Sequence, residues 1–257
     1  MELVPALDSV DKSPAPKHRR PRWGAWTTAA WGIPLALSAI VFQTAGAFGF
    51  LAWWRYAHPE HPIAPASITS NGAVLAFALA VSAPFVLALL GLVVHLSRVP
   101  LRDYLALKLP RWRDVWRGIA ALAAVLLGTG LLAAATGQQP PGFMADTFTS
   151  ARDAGMLPLL LVSFVILGPL QEELLFRGFF FRGFAPALGK WPAIVLTALV
   201  WALSHAQYEW FFVGEIFALG LVFGWVRARS GSTLLTIALH AAVNAMALVE
   251  VAFLVGP

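Results

Sequence analysis

Long apolar runs, separated by short clusters of charge, proline and glycine, divide this chain. A bilayer core about 30 Å thick is crossed by a helix of about 20 apolar residues. Seven runs approach that length: Trp26 to Trp54, Asn71 to Leu96, Trp116 to Ala135, Met156 to roughly Ala185, Trp191 to about Gln207, Trp210 to Val226, and Thr233 to Leu254. The pattern predicts an all-α, polytopic transmembrane bundle of about seven spans, the fifth being the shortest. In the third loop, "PPGFMADTFTSARDAG" reads as a turn followed by a short interfacial helix.

Composition sharpens this picture. Of 257 residues, 59% are hydrophobic and only 12% charged, and the mean hydropathy is +0.72, outside the range of soluble domains. Eleven tryptophans and eighteen phenylalanines suit lipid-facing and interfacial positions. The absence of cysteine removes disulfides, thiolate nucleophiles and thiolate metal sites. A net charge of +5 would point to nucleic acid in a soluble protein. Here the basic residues fall between apolar runs, where they read as topology determinants, and nucleic acid is set aside as a partner.

Basic residues concentrate in alternate loops: Lys17, Arg19, Arg20 and Arg22, then Arg98, Arg102, Lys108, Arg111 and Arg113, then Arg182 and Lys190, then Arg227 and Arg229. The positive-inside rule predicts a cytoplasmic N-terminus and an outer C-terminus, in the cell membrane. Residues 1–22 lack an apolar core ahead of their basic cluster and read as a disordered cytoplasmic tail, not a signal peptide. Residues 23–155 read as N-terminal transmembrane helices and 156–257 as the helical core that carries the chemistry.

Ionisable groups within spans are costly and tend to mark functional sites. They are few: Glu172, Glu173 and Arg177 in the fourth span, His205 in the fifth, and His240 with Asn244 in the seventh. Glu215 and Glu250 lie nearer the outer face. Glu173 and Arg177, four apart, can pair on one helix face; Glu172 points about 100° away and has no partner on its own helix. His240 and Asn244 are also four apart and share a face. Counting about 1.5 Å per residue from the expected helix ends puts Glu172 about 18 Å, His205 about 21 Å and His240 about 11 Å deep, so one shared cavity is feasible. A carboxylate in an apolar surround with a histidine beside it suits general-base activation of water. A second histidine and a carboxamide can donate to an oxyanion. Together they form a toolkit for amide hydrolysis, although each also has a plain structural reading: an intramembrane ion pair, a satisfied core histidine, a polar clasp between helices.

The ordered set Glu172-Glu173-x-x-x-Arg177, Trp201-x-x-x-His205 and His240-x-x-x-Asn244 resembles the CPBP family of intramembrane proteases, which includes the CaaX prenyl proteases and bacterial Abi proteins. The resemblance covers Met156 to Leu254. It implies that Glu172 and His205 activate water, that His240 and Asn244 stabilise the oxyanion, and that Glu173 and Arg177 support the site. One departure stands out: the family's second motif commonly opens with phenylalanine, where this chain has Trp201, a difference expected to touch only local packing. Family members are often called metalloproteases, and Glu172, His205 and His240 can in principle ligate Zn2+ with a position open for water. A metal-free glutamate mechanism fits the same residues, and the His-Glu-x-x-His signature is absent.

Other intramembrane protease types match poorly, since the chain has no Gly-x-Ser-x-Gly motif and no aspartate within a span. Ser204 beside His205 is a poor nucleophile–base pair, because helix neighbours diverge. The expected partners are membrane lipid and a peptide or membrane-protein substrate, prenylated-like or otherwise membrane-associated. The alternative is a non-enzymatic membrane protein that binds or sequesters a peptide, as in bacteriocin immunity or a chaperone. A proton-coupled transporter would call for inverted repeats or paired broken helices, and the sequence displays neither.

Overall fold

A computed structural model describes residues 23–256; the tail expected at residues 1–22 lies outside the described residues. Among the described residues the chain is helical and has no strand. Its elements are α1 (Ala25–Ala57), α2 (Gly72–Leu96), the single turn α3 (Leu101–Tyr104), α4 (Trp112–Thr136), α5 (Gly142–Asp153), α6 (Leu157–Leu188), α7 (Lys190–Leu203), α8 (Trp210–Ser230) and α9 (Thr233–Val255). Their ends follow from local chemistry. The Asn71 side chain accepts from Val74 N–H and the Ser232 side chain from Leu235 N–H, so α2 and α9 each begin on a capped turn. Gly137 and Gly231, both at positive φ, close α4 and α8.

Six described helices, α1, α2, α4, α6, α8 and α9, are long and apolar enough to cross a membrane, and the chain is an integral membrane protein. The expected fifth span is a shorter object. α7 has 14 residues, about 21 Å of helix against the about 30 Å of a bilayer core. It stops at Leu203, not Gln207, because side chains take over the carbonyl that the next turn would use. Ser204 Oγ and His205 Nδ1 reach Trp201 O at 2.7 and 2.8 Å, and His205 N–H turns to Ala202 O at 3.0 Å. His205 therefore sits in the turn after α7, where a full-length span would have placed it inside the helix.

α6 is the central element, packing against α2, α7 and α9. It is not a uniform α-helix. Val162–Leu167 and Leu174–Phe180 are wide π turns, and between them lies a six-residue α-helical segment, Gly168–Glu173. Leu174, Leu175 and Phe179 join Leu35, Val86, Leu90 and Tyr104 in one core. Trp201, Leu219, Phe223, Leu235 and Leu239 form a second core between α7, α8 and α9. There α8 comes unusually close to α7: a Cβ on Gly220 would stand 2.9 Å from Ala198 Cβ, and one on Gly224 2.7 Å from Ile194 Cγ2. Only glycine permits that approach. The short helix expected in the third loop is α5, whose Met144, Thr147, Phe148 and Ala151 are buried.

Candidate active site

The wide turn at Val162–Leu167 begins the site. Gly168 N–H bonds to Ser163 O, five residues back, and in that register Phe164 O would await the N–H of residue 169. Residue 169 is proline, which has none. Asn244 supplies the missing donor, its side-chain nitrogen lying 2.8 Å from Phe164 O. A carbonyl only accepts, which fixes that amide orientation. One turn earlier on α9, His240 reaches the other end of the same α6 segment: its Nδ1 lies 3.1 Å from Glu173 Oε1. The two α9 side chains thus clamp α6 on either side of Glu172.

Glu173 and Arg177 pair as their spacing predicts, at 2.8 Å and with both side chains fully buried. The pair is larger than expected, because Glu173 Oε1 also meets His240 and Arg177 Nη2 donates to Gly220 O at 3.1 Å. The glycine that lets α8 approach is thus also the residue whose carbonyl receives the arginine. The Arg177 guanidinium lies 4.6 Å from the Trp201 ring centroid and 5.3 Å from that of Phe223. Behind it, Arg227 Nε donates to Arg177 O at 3.1 Å, filling the second wide turn.

Glu172 turns the other way, as its helix phase requires, and its side chain is 28% exposed. Its Oε2 accepts from the Trp201 indole N–H at 2.5 Å and lies 4.0 Å from His205 Nε2. The His205 tautomer follows from geometry: Nδ1 faces the Trp201 carbonyl and must carry the proton, leaving the Nε2 lone pair toward Glu172 when the ring is neutral. A water at about 2.8 Å from each atom would bridge that gap. His240 also packs against Trp201, with ring centroids 5.2 Å apart, and its Nδ1 is held by Glu173, not Glu172.

The structure therefore gathers Glu172, Glu173, Arg177, His205 and His240 around one side chain, Trp201, with Asn244 one turn away on α9. Trp201 is only 2% exposed and is the residue whose importance sequence reasoning missed. The available signal was its position four residues before His205, which puts both on one helix face. Tyr208 was missed as well. Its ring lies 6.4 Å from that of His205, it contacts the Phe143 ring of α5, and its hydroxyl donates to Met144 Sδ at 3.0 Å. Burial, and secondarily the Glu172 charge, push this phenol above its usual range. The cavity lined by Phe148, Arg152, Ala252, Phe253 and Gly256 lies elsewhere, between α5 and the end of α9.

The three side chains weighed as zinc ligands do not form a ligand set as they stand. Tetrahedral Zn2+ with bonds of about 2.0 to 2.1 Å holds ligand atoms about 3.3 Å apart, whereas Glu172 Oε2 and His205 Nε2 are 4.0 Å apart. Among the described residues no three His, Asp or Glu side chains are grouped for a metal.

Comparison with known proteins bears on the same part of the chain. Residues 154–246 match the family model described as type II CAAX prenyl endopeptidase Rce1-like. This segment is similar to the Rce1-like family. It contains all six candidate residues and Trp201, and it spans α6 to most of α9. The chain is also similar to an uncharacterized 24.3 kDa protein of Escherichia coli, 34% identical over 125 residues, 48% of this chain and 57% of that protein. It is also similar to the UPF0177 protein YxdF of Lactococcus lactis, 28% identical over 92 residues, 35% of this chain and 50% of that protein. The chain thus spans about half the length of these curated relatives. No solved structure matches.

Proposed function

We propose that the chain is an intramembrane endopeptidase of the CaaX protease/Abi type. It hydrolyses a peptide bond of a membrane-associated or prenylated-like substrate, with its N-terminus on the cytoplasmic side of the cell membrane. The observation that carries this reading is the Glu172–His205 pair: a partly exposed carboxylate facing an imidazole nitrogen at 4.0 Å, on an Rce1-like segment.

In the proposed reaction a water held between Glu172 and His205 Nε2 loses a proton to the carboxylate as its oxygen attacks the substrate carbonyl carbon. The negative charge that develops on the carbonyl oxygen is met by donors of α9. Asn244 has a second amide hydrogen besides the one given to Phe164, and His240 offers Nε2–H when it carries a second proton, with Glu173 as its counter-charge. As the tetrahedral intermediate collapses, the C–N bond breaks and the Glu172 proton passes to the leaving amine, restoring the carboxylate.

The test is cleavage of a fluorogenic peptide library by the purified protein in nanodiscs, with Glu172→Gln alongside and thermal stability recorded for both. A folded Glu172→Gln variant that cleaves as fast as wild type would overturn the reading, and peptide binding without cleavage by either would favour the sequestering alternative.

A further inference from the structure

We propose that Trp201 is a positioning residue that holds both members of the water-activating pair at once, through its indole N–H on Glu172 and its backbone carbonyl on His205. This rests on the endopeptidase reading and extends it to a residue outside the motif's charged and polar positions.

The geometry is direct. The indole nitrogen donates to Glu172 Oε2 at 2.5 Å, and the carbonyl of the same residue receives His205 Nδ1 at 2.8 Å. One residue therefore fixes which carboxylate oxygen is engaged and which imidazole nitrogen is free. It also sets the 4.0 Å separation between the two reactive atoms. Oε2 accepts the indole N–H on one lone pair and keeps the other for the bridging water. Trp201 can do this because packing encloses it. It is 2% exposed, lies in the last turn of α7, and is packed edge-on against both His205 and His240, with centroids 5.2 Å from each.

The indole also connects the reactive pair to the buried one. The Arg177 guanidinium, itself tied to Glu173, lies 4.6 Å from the Trp201 ring. A cation over an indole face draws on its electron density and makes the N–H a stronger donor. Glu173, Arg177, Trp201 and Glu172 thus form one continuous chain of contacts from α6 to α7 and back. This gives the buried ion pair a task beyond helix packing: it braces and polarises the group that orients the general base. A phenylalanine at position 201 would keep the carbonyl and an aromatic ring, and would lose the donor together with part of the ring's volume.

Two replacements in the full-length protein isolate that donor. Trp201→Phe removes it along with some volume. Translational incorporation of benzothienylalanine at position 201 keeps the bicyclic shape and puts sulfur in place of N–H. A hydrogen bond to a charged group is worth about 10- to 100-fold. The expectation is therefore a fall in kcat of about that size in both, with KM within about twofold and thermal stability of the benzothienyl protein unchanged. Wild-type kcat in the benzothienyl protein, or a loss that falls on KM alone, overturns the proposal. A second readout does not depend on turnover. Among eleven tryptophans, the indole N–H resonance of Trp201 is identified by its absence in Trp201→Phe, and the bond to a carboxylate places it downfield; Glu172→Ala should move it upfield. If wild type cleaves no peptide, the endopeptidase reading falls and takes the catalytic role with it, while the resonance still judges the bond. An indole signal indifferent to Glu172→Ala overturns the positioning itself.

Discussion

Replacing Arg177 with methionine should destabilise the protein more than any change of similar size elsewhere in the site. Arg177 is fully buried; it gives Glu173 a 2.8 Å bond and Gly220 O a 3.1 Å bond, and it stacks over Trp201 and Phe223. Methionine retains much of the length and none of the donors. Glu173 would keep His240 as a hydrogen-bond partner, although its Oε2 is already without one. Removing one member of a buried pair costs about 3 to 5 kcal/mol, a fall of about 150- to 5,000-fold in the folding equilibrium. In Glu173→Gln/Arg177→Met the two charges leave together, and the double variant should lose at least about 1.5 kcal/mol less than the sum of the singles. Unfolding in mixed micelles by SDS titration, followed by helicity, measures all four corners of the cycle. A double variant that merely adds the two single losses would refute the argument, as would an Arg177→Met loss below about 1 kcal/mol.

Asn244→Leu strands the Phe164 carbonyl that Pro169 cannot serve, and should cost about 1 to 3 kcal/mol in the same titration; Asn244→Asp should not rescue it, because a carboxylate has no donor. Gly220→Ala places a Cβ 2.9 Å from Ala198 Cβ and 3.1 Å from the Trp201 ring, so α7 and α8 must separate; the expected loss is about 1 to 3 kcal/mol, together with slower cleavage as Trp201 shifts. Glu172→Gln should leave stability within about 1 kcal/mol, since its side chain is partly exposed and a carboxamide oxygen can still accept from Trp201, while peptide cleavage is lost. Cleavage should persist after incubation with EDTA and dialysis, and a loss restored by Zn2+ would show that the site rearranges to bind metal.

The all-helical class, the long spans and the Glu173–Arg177 pair were legible because each depends on local periodicity: apolar run length, or a spacing of four along one helix. The end of α7 was not. Whether a run of apolar residues continues through "ALSHAQ" is decided by competition for one carbonyl, that of Trp201, and Ser204 and His205 win it. The partners of Glu172 and His240 were hidden for another reason. An isolated helix leaves Glu172 unpaired, and only the packing of α7 on α6 brings an indole N–H to it. The identity of residue 201 was visible, but its consequence was not, because a ring at that position reads as packing until the direction of its N–H is known.

The two wide turns of α6 show how the same site could have been approached from sequence. A proline at 169, well inside an apolar run, announces one orphaned carbonyl, and a buried donor must then come from another helix. Asn244 is that donor for Phe164, and Arg227 performs the comparable service at Arg177 O. Between these two points the α-helical segment Gly168–Glu173 is held at both ends by side chains of α8 and α9. Its last two residues are the carboxylates, so their phase depends on contacts made four to nine residues away as much as on their own. The clasp between helices and the hydrolytic centre are therefore not competing accounts of Asn244 and His240. A polar side chain that fixes a π turn on one side of Glu172 also sets where Glu172 points, and a substitution at Asn244 that leaves the protein folded should still move the carboxylate relative to His205.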